Sequence, residues 1–211
     1  MALIRGRPFL EWLLLQLAEQ QVGRVILAAG HLGGQIREHF SDGFFGMEVL
    51  HSTEAEPLGT GGALRQAAAR SVAERLLVLN GDSYTPFDLR RLGDLHAARG
   101  AAATLWLAPV GERGRFGSVG VDRDGKVTAF GEKLDDGPGL VNAGVYLFQP
   151  EVVAGIPIPS SLEHEVLPRL VGDGLYAVIG DSELVDIGTP ESLAGAESAL
   201  ASELDRLEAV A

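Results

Sequence analysis

Leu76-Leu-Val-Leu-Asn-Gly-Asp82 is the stretch whose reading decides the fold. Four consecutive apolar residues before a Gly-containing polar turn predict a short strand buried on both faces. Ligands of open α/β sheets gather beyond the carboxyl ends of such strands. Asp82 is expected at that end, on a turn that Gly81 lets bend sharply. A carboxylate there suits magnesium, a hard cation that takes oxygen ligands and substrate phosphates. An Asp that closes the turn or caps the next helix fits the same residues, so the stretch alone leaves both open.

Upstream lies Ser52-Thr-Glu54-Ala-Glu56-Pro-Leu-Gly59-Thr60-Gly61-Gly62, followed by a helical run from Ala63. Three glycines around a threonine at a helix start predict a loop whose backbone can approach a ligand closely. It lacks the Gly-Lys-Ser/Thr ending of a P-loop. Glu54 or Glu56 at its entrance could accept hydrogen bonds from a base edge, or could simply be solvated. Further upstream, Val25–Gly30 reads as a strand and Leu32–Phe40 as a helix. The Gly30-His-Leu-Gly33-Gly34 turn between them misses the G-x-G-x-x-G spacing of a dinucleotide site. Met47–Leu50 reads as a short strand.

Downstream, Asp88 is expected to open a helix through Arg99, and Ala102–Leu107 reads as a buried strand. To this point strands and helices alternate as in a parallel, doubly wound sheet. The pattern then changes. Ser118–Val121 and Lys126–Phe130 flank an Asp-Gly turn, a hairpin signal. Glu132-Lys133 follows, then the strand Leu140–Phe148, polar only at Asn142. An Asn within such a strand is expected to have a hydrogen-bond partner, either ligand or backbone. A helix from Ser161 to about Val171 and a strand at Tyr176–Ile179 come next. Asp186-Ile-Gly-Thr-Pro190 repeats the theme of an aspartate at a strand end beside a glycine. Pro190 begins a final helix, with Leu193, Ala196, Leu200, Leu204 and Leu207 on one face. That face is expected to pack on its own domain, and a homo-oligomer stays compatible with it.

The length of 211 residues and 46% hydrophobic content suit one domain with a well-buried core. There is no cysteine, hence neither disulfide nor thiolate chemistry, which fits a reducing cytoplasm. A net charge of −12 argues against nucleic-acid polymers as partners. Trp12–Ala18 imitates the apolar core of a signal peptide, but Glu11, Gln16 and Glu19 interrupt it and no small-residue cleavage pattern follows. Phe9, Trp12, Leu13, Gln16 and Leu17 suit one face of an amphipathic helix with Pro8 near its start. No run is long enough to span a bilayer as a helix, so neither nucleic acid nor membrane is expected as a partner.

With Gly59-Thr-Gly-Gly62, Asn80-Gly-Asp82, Glu132-Lys133, Asn142-Ala-Gly144 and Asp186–Pro190 in that order, the chain resembles the sugar-1-phosphate nucleotidyltransferases. Glu56–Ala63, Leu79–Ser83 and Ser161-Leu-Glu163 bring it nearest to the D-glycero-D-manno-heptose 1-phosphate guanylyltransferase branch. The resemblance covers essentially the whole chain. It implies a Rossmann-like α/β/α nucleotidyltransferase fold with a mixed, mostly parallel sheet, in a single domain over residues 1–211. It also implies a reaction of an NTP with a sugar 1-phosphate, giving an NDP-sugar and pyrophosphate. In that family pattern Asp82 and Asp186 match the aspartates that hold Mg2+, and Lys133 matches the lysine that meets the sugar phosphate. Gly117, Glu132 and Asn142, with Gly144, match positions along the sugar. Glu54, Glu56, Gly59, Thr60, Gly61 and Gly62, with Gly81, match the nucleotide side. Glu54 could pair both carboxylate oxygens with the N1–H and N2 amine of guanine, which favours GTP and heptose 1-phosphate as substrates.

The family pattern begins with a strand, a Gly-Gly-x-Gly-Thr-Arg loop and a Pro-Lys pair, none of which precedes Met1. The chain is therefore expected to be truncated at its amino end relative to the family, without the first strand. The arginine and lysine that neutralise the triphosphate would then be absent, so little or no turnover is expected of residues 1–211. A catalytically impaired module that binds nucleotide and sugar phosphate is the alternative. A hexose-transferring glycosyltransferase shares strand-end aspartates, but its Asp-x-Asp is not found.

Overall fold

The computed structural model describes residues 1–30, 33–111, 118–131 and 137–209. Gly117, Glu132 and Lys133 lie outside them. In chain order the elements begin with β1 (Leu3–Ile4), β2 (Arg7–Pro8), α1 (Phe9–Glu19), β3 (Arg24–Ala29), α2 (Gly33–His39), β4 (Glu48–Thr53), α3 (Gly59–Ala68) and β5 (Leu76–Leu79). Next come β6 (Ser83–Tyr84), α4 (Leu89–Arg99), β7 (Ala103–Val110), β8 (Ser118–Val121), β9 (Val127–Gly131) and β10 (Gly139–Phe148). The chain continues with α5 (Pro150–Ala154), a π-helical turn (Leu162–Val166), α6 (Leu167–Leu170), β11 (Leu175–Ile179), β12 (Val185–Asp186), α7 (Pro190–Ala199) and α8 (Ala201–Glu208). Two compact units form. The first comprises Met1–Glu56, Gly81–Tyr84 and Val185–Ala211, and the second Pro57–Asn80 and Thr85–Leu184.

In the first unit β3 and β4 pair in parallel, as a strand–helix–strand crossover requires. β6 and β12 pair antiparallel, with Tyr84 opposite Val185 and Ser83 opposite Asp186. The core gathers Phe9, Trp12, Leu13 and Leu15 of α1 with Tyr84, Ala196, Leu200, Leu204 and Leu207. The expected apolar face at the carboxyl end is thus packed inside its own unit, and the helix breaks at Leu200 into α7 and α8. Thr189 caps α7 through a reciprocal bond with Ser192, and Pro190 occupies the first turn, where a missing N–H is harmless. α1 departs from a one-sided helix. Leu14 and Leu15 are buried along with the predicted face, because its leucines continue around the helix and hydrophobic burial is non-directional.

The second unit is built on β10. Its sheet runs β11-β7-β10-β8-β9, with β5 also on β10. β11 and β7 are parallel, whereas β10 is antiparallel to β5, β7 and β8. The sheet is mixed as expected, but antiparallel pairs outnumber parallel ones among the described residues. β10 causes this, because it returns through the centre against both β5 and β7. Ala103, Leu105 and Leu107 alternate along β7 into a core with Tyr146, Phe148, Leu175, Leu162 and Leu167. α4 packs on β7 and β11, where His96 meets Thr104 of β7. Asp88 starts α4 by accepting the Arg90 and Arg91 N–H groups. The hairpin β8–β9 forms where the Asp-Gly signal placed it.

β5 departs from the expectation of burial on both faces. All four of its residues are only half-buried. Among the described residues β10 is the one strand that pairs with it, and a strand is enclosed fully only when neighbours and layers cover it on every side. Among the described residues, no helix is long and apolar enough to cross a membrane.

His96 is fully buried between two polar partners. Its Nδ1 lies 2.9 Å from Thr104 Oγ1, and its Nε2 lies 3.1 Å from Gln149 Nε2. The Gln149 amide donates to Nε2, so the ring proton sits on Nδ1 and donates to Thr104. Burial first, then the charge of Arg75, lowers the His96 pKa below 6.5. Protonation is therefore harder folded than unfolded. The associated stability is complete above the unfolded pKa and is lost as pH falls through the lower folded value. Thermal melts from about pH 8 to about pH 5 should show a larger loss for the wild type than for His96→Gln. An equal loss in both proteins contradicts this.

Candidate functional site

In the first unit the β6–β12 ladder has one apolar rung and one polar rung. Tyr84 and Val185 form the apolar rung. Tyr84 is fully buried, its hydroxyl lies 3.5 Å from Glu203 Oε2, and Val185 packs against the same core. Burial, then the negative charge of Glu203, raises the Tyr84 pKa and keeps its phenol protonated. The polar rung follows from strand alternation and register. Asp186 sits opposite Ser83, and the Ile187 N–H donates to the Asp82 carbonyl at 2.9 Å. Asp186 thus ends β12 and Asp82 directly precedes β6, joined by a backbone bond from the residue after Asp186.

Asp82 is exposed, and the Ser83 hydroxyl donates to its Oδ1 at 3.3 Å. Asp186 is half-buried and accepts the Gly188 N–H at 3.0 Å. Two carboxylates are the donor set a hard divalent cation accepts when substrate phosphate and water oxygens complete its shell. Among the described residues no cluster of three or more His, Cys, Asp or Glu side chains could hold a metal by itself. Gly81 differs from expectation. Its φ is not positive, and a Cβ there would meet open space, so the turn does not require glycine for its bend. Glu54, also in this unit, is half-buried just beyond β4, with its carboxylate beside Gly30. Glu56 is exposed.

In the second unit Gly59–Gly62 forms the first turn of α3, packed against the segment before the π-helical turn. Gly59 has φ +71°, and a Cβ there would run into the Ser160 carbonyl. The Gly61 and Gly62 N–H groups both donate to that carbonyl, at 2.9 and 3.4 Å. The glycines therefore have a packing reason of their own, and these two amides are already engaged. Thr60 Oγ1 accepts the Leu162 N–H and donates to Glu163 Oε2, each at 2.8 Å.

Asn142 lies at an irregularity in β10. Pairing with β7 shifts register between Asn142 and Val145, which leaves Ala143 and Gly144 without partners on that strand. Gly144 has φ +72°, the Asn80 side chain fills the space a Cβ would need, and the Gly144 carbonyl accepts the Asn80 N–H at 2.8 Å. The bulge leaves Asn142 half-exposed. Its Nδ2 donates to Tyr146 Oη at 2.7 Å and its Oδ1 accepts the Gly144 N–H at 3.2 Å. Tyr146 Oη in turn donates to Glu163 Oε1 at 3.4 Å. Sequence reasoning found Asn142, Gly144 and Thr60 but gave Glu163 no role. The only signal was its place in Ser161-Leu-Glu163, and the bonds that single it out come from residues distant in sequence.

Residues 1–203 match the family model described as nucleotidyl transferase. The chain is 37% identical over 193 residues to mannose-1-phosphate guanylyltransferase of Mycobacterium tuberculosis, covering 88% of this chain and 54% of that protein. It is 33% identical over 203 residues to D-glycero-alpha-D-manno-heptose 1-phosphate guanylyltransferase of Aneurinibacillus thermoaerophilus, covering 95% and 88%. The chain thus spans about half the length of the first relative and most of the second. The crystal structure of HddC from Yersinia pseudotuberculosis complexed with GMP-PN superposes with a TM-score of 0.82 at 30% identity, covering 94% of this chain and 88% of that one.

The packing of Gly59 against Ser160 gives a direct test. Gly59→Ala should lower stability by at least about 1–2 kcal/mol from the left-handed backbone alone, with the backbone clash adding to it. Gly81→Ala should stay within about 0.5 kcal/mol of wild type, as substitutions at open surface positions do. Urea unfolding measures both, and equal effects would overturn the contrast.

Proposed function

This chain belongs to the nucleotidyl transferase family, and from that premise we propose that it joins a nucleoside triphosphate to a sugar 1-phosphate. In the proposed reaction an oxygen of the sugar phosphate bonds to the α-phosphorus. The bond from that phosphorus to the β-phosphate oxygen breaks in line, which releases pyrophosphate and leaves an NDP-sugar. Such chemistry depends on positioning and on neutralising charge more than on proton transfer. The pairing of β6 with β12 carries this reading, because it brings Asp82 and Asp186 to neighbouring positions. We assign them to a shared Mg2+, which when bound would neutralise negative charge on the phosphates.

Asn142 presents its half-exposed carboxamide to the sugar, beside Gly144. Gly117, Glu132 and Lys133 keep the roles the family pattern implies, with Lys133 meeting the sugar phosphate. Gly81, Glu56 and the Gly59–Gly62 turn are assigned to the nucleotide. Because Ser160 already engages two amides of that turn and Glu163 takes the Thr60 hydroxyl proton, the turn's remaining contribution is close backbone approach. The same engagement favours a second reading, a module that binds nucleotide and sugar phosphate with impaired turnover.

The base we favour is guanine. Two oxygens of Glu54 can accept the adjacent N1–H and N2 amine of guanine, whereas uracil and thymine offer a single N–H flanked by carbonyls. Both relatives named above are guanylyltransferases, which supports GTP, and the one spanned more fully acts on heptose 1-phosphate. We place the reaction in the cytoplasm, where nucleoside triphosphates are made.

With GTP and a sugar 1-phosphate, pyrophosphate release should fall on the order of 10²–10³-fold in Asp186→Asn, as when one electrostatic stabiliser of a transition state is removed. Release close to wild type rejects the role of Asp186. Nucleotide binding without release by the wild type selects the impaired module. Titration of the four NTPs should rank GTP first in the wild type and lose that ranking in Glu54→Gln. If UTP or dTTP binds best, the assignment of the base fails.

A further inference from the structure

The hydrogen bonds around Glu163 have a direction that the side-chain chemistry fixes. A carboxylate only accepts, so every hydroxyl that meets it must point its single proton inward. Thr60 spends its proton on Glu163 Oε2 and uses a lone pair for the Leu162 N–H. Tyr146 spends its proton on Glu163 Oε1, which leaves Oη only lone pairs to offer Asn142. Asn142 must then face Tyr146 with Nδ2, and its Oδ1 accepts the Gly144 N–H. Among the described residues, what remains of Asn142 to meet a ligand is one Nδ2–H and one Oδ1 lone pair, in a fixed order. Tyr146 is fully buried, while Asn142, at the outer end of the chain of bonds, is half-exposed.

We propose that Tyr146 and Glu163 are positioning residues that fix which edge of the Asn142 carboxamide donates and which accepts, and so set which sugar hydroxyls a sugar 1-phosphate must present. The inference rests on the assignment of Asn142 to the sugar. Burial, then the charge of Glu163, raises the Tyr146 pKa, so the phenol proton is present throughout the physiological range. Thr60 ties the first turn of α3 to the same carboxylate, so Glu163 also holds the nucleotide-side loop and the sugar-side amide to one anchor. In Glu163→Gln the anchor gains a donor. The Tyr146 proton is then free to turn toward Asn142, and the carboxamide can flip, which exchanges the donor and acceptor shown to the ligand. Tyr146→Phe removes the orienting oxygen altogether.

The test uses the full chain, α-D-mannose 1-phosphate and α-D-glucose 1-phosphate, which differ in configuration at one hydroxyl. Calorimetry gives the ratio of the two Kd values for wild type, Tyr146→Phe and Glu163→Gln. NMR of the Asn142 side-chain amide, assigned with Asn142→Asp, reports its orientation independently of any ligand, and the backbone spectrum confirms folding. The wild type should discriminate between the two sugars. Both variants should bring the ratio closer to one by about tenfold, as expected for loss of one hydrogen bond within a charged network, and should shift the Asn142 amide signals. Binding of neither sugar phosphate by the wild type overturns the sugar assignment and the inference with it. Discrimination that survives in both variants, with unshifted Asn142 signals, overturns the inference alone. Equal wild-type affinity for the two sugars overturns the specificity role.

Discussion

Two carboxylates fixed on neighbouring strands repel one another unless something positive lies between them. In this chain the backbone segments that carry Asp82 and Asp186 are brought together by packing. Tyr84 and Val185 are drawn into the core of the first unit with α1, α7 and α8. Once that apolar rung is buried, backbone pairing sets Asp186 opposite Ser83 and joins Ile187 to Asp82. Hydrophobic burial of roughly 1.5–3 kcal/mol per large side chain thus fixes the backbone pairing that sets Asp186 beside the strand Asp82 precedes. The cation we propose to be shared by the two aspartates would be a hard divalent ion, which oxygen donors suit.

The second unit applies a different constraint. β10 cannot run through its sheet without interruption, because Ala143 and Gly144 have no partners on β7. The interruption leaves Asn142 half-exposed, and the Asn80 side chain occupies the space beside Gly144. Tyr146, on the same strand beyond the bulge, returns to the core and carries the contact to Glu163. The same carboxylate receives Thr60 from the start of α3. A strand irregularity, a buried phenol and one acidic residue therefore join the first turn of α3 and the bulge of β10 into one connected polar framework. Such hydrogen-bonded frameworks hold their members in a fixed geometry.

Much of this was legible in the sequence where the signal is local. The mostly apolar run of β7, the Asp-Gly hairpin of β8–β9 and the Asp88 cap of α4 depend on residues within a few positions of one another. The long-range facts were less accessible. Nothing near Asp82 announces Asp186, and their association was anticipated only through the order of motifs. β5 was expected to be wholly buried because its four apolar residues say nothing about how many strands flank it. The glycines at 59 and 61 suggested ligand approach, whereas their immediate reason is the Ser160 backbone, a hundred positions away in the chain and invisible to any local pattern. Glu163 was overlooked for the same cause, since a solvent-facing Glu and a network anchor have identical local sequence.

The most direct measurement is anomalous diffraction from crystals of the chain grown with Mn2+, a stand-in for Mg2+ that scatters strongly enough to locate. The account predicts one ion within coordination distance of both Asp82 and Asp186, and its loss in Asp186→Asn. An ion bound elsewhere, or held by only one of the two aspartates, would contradict it.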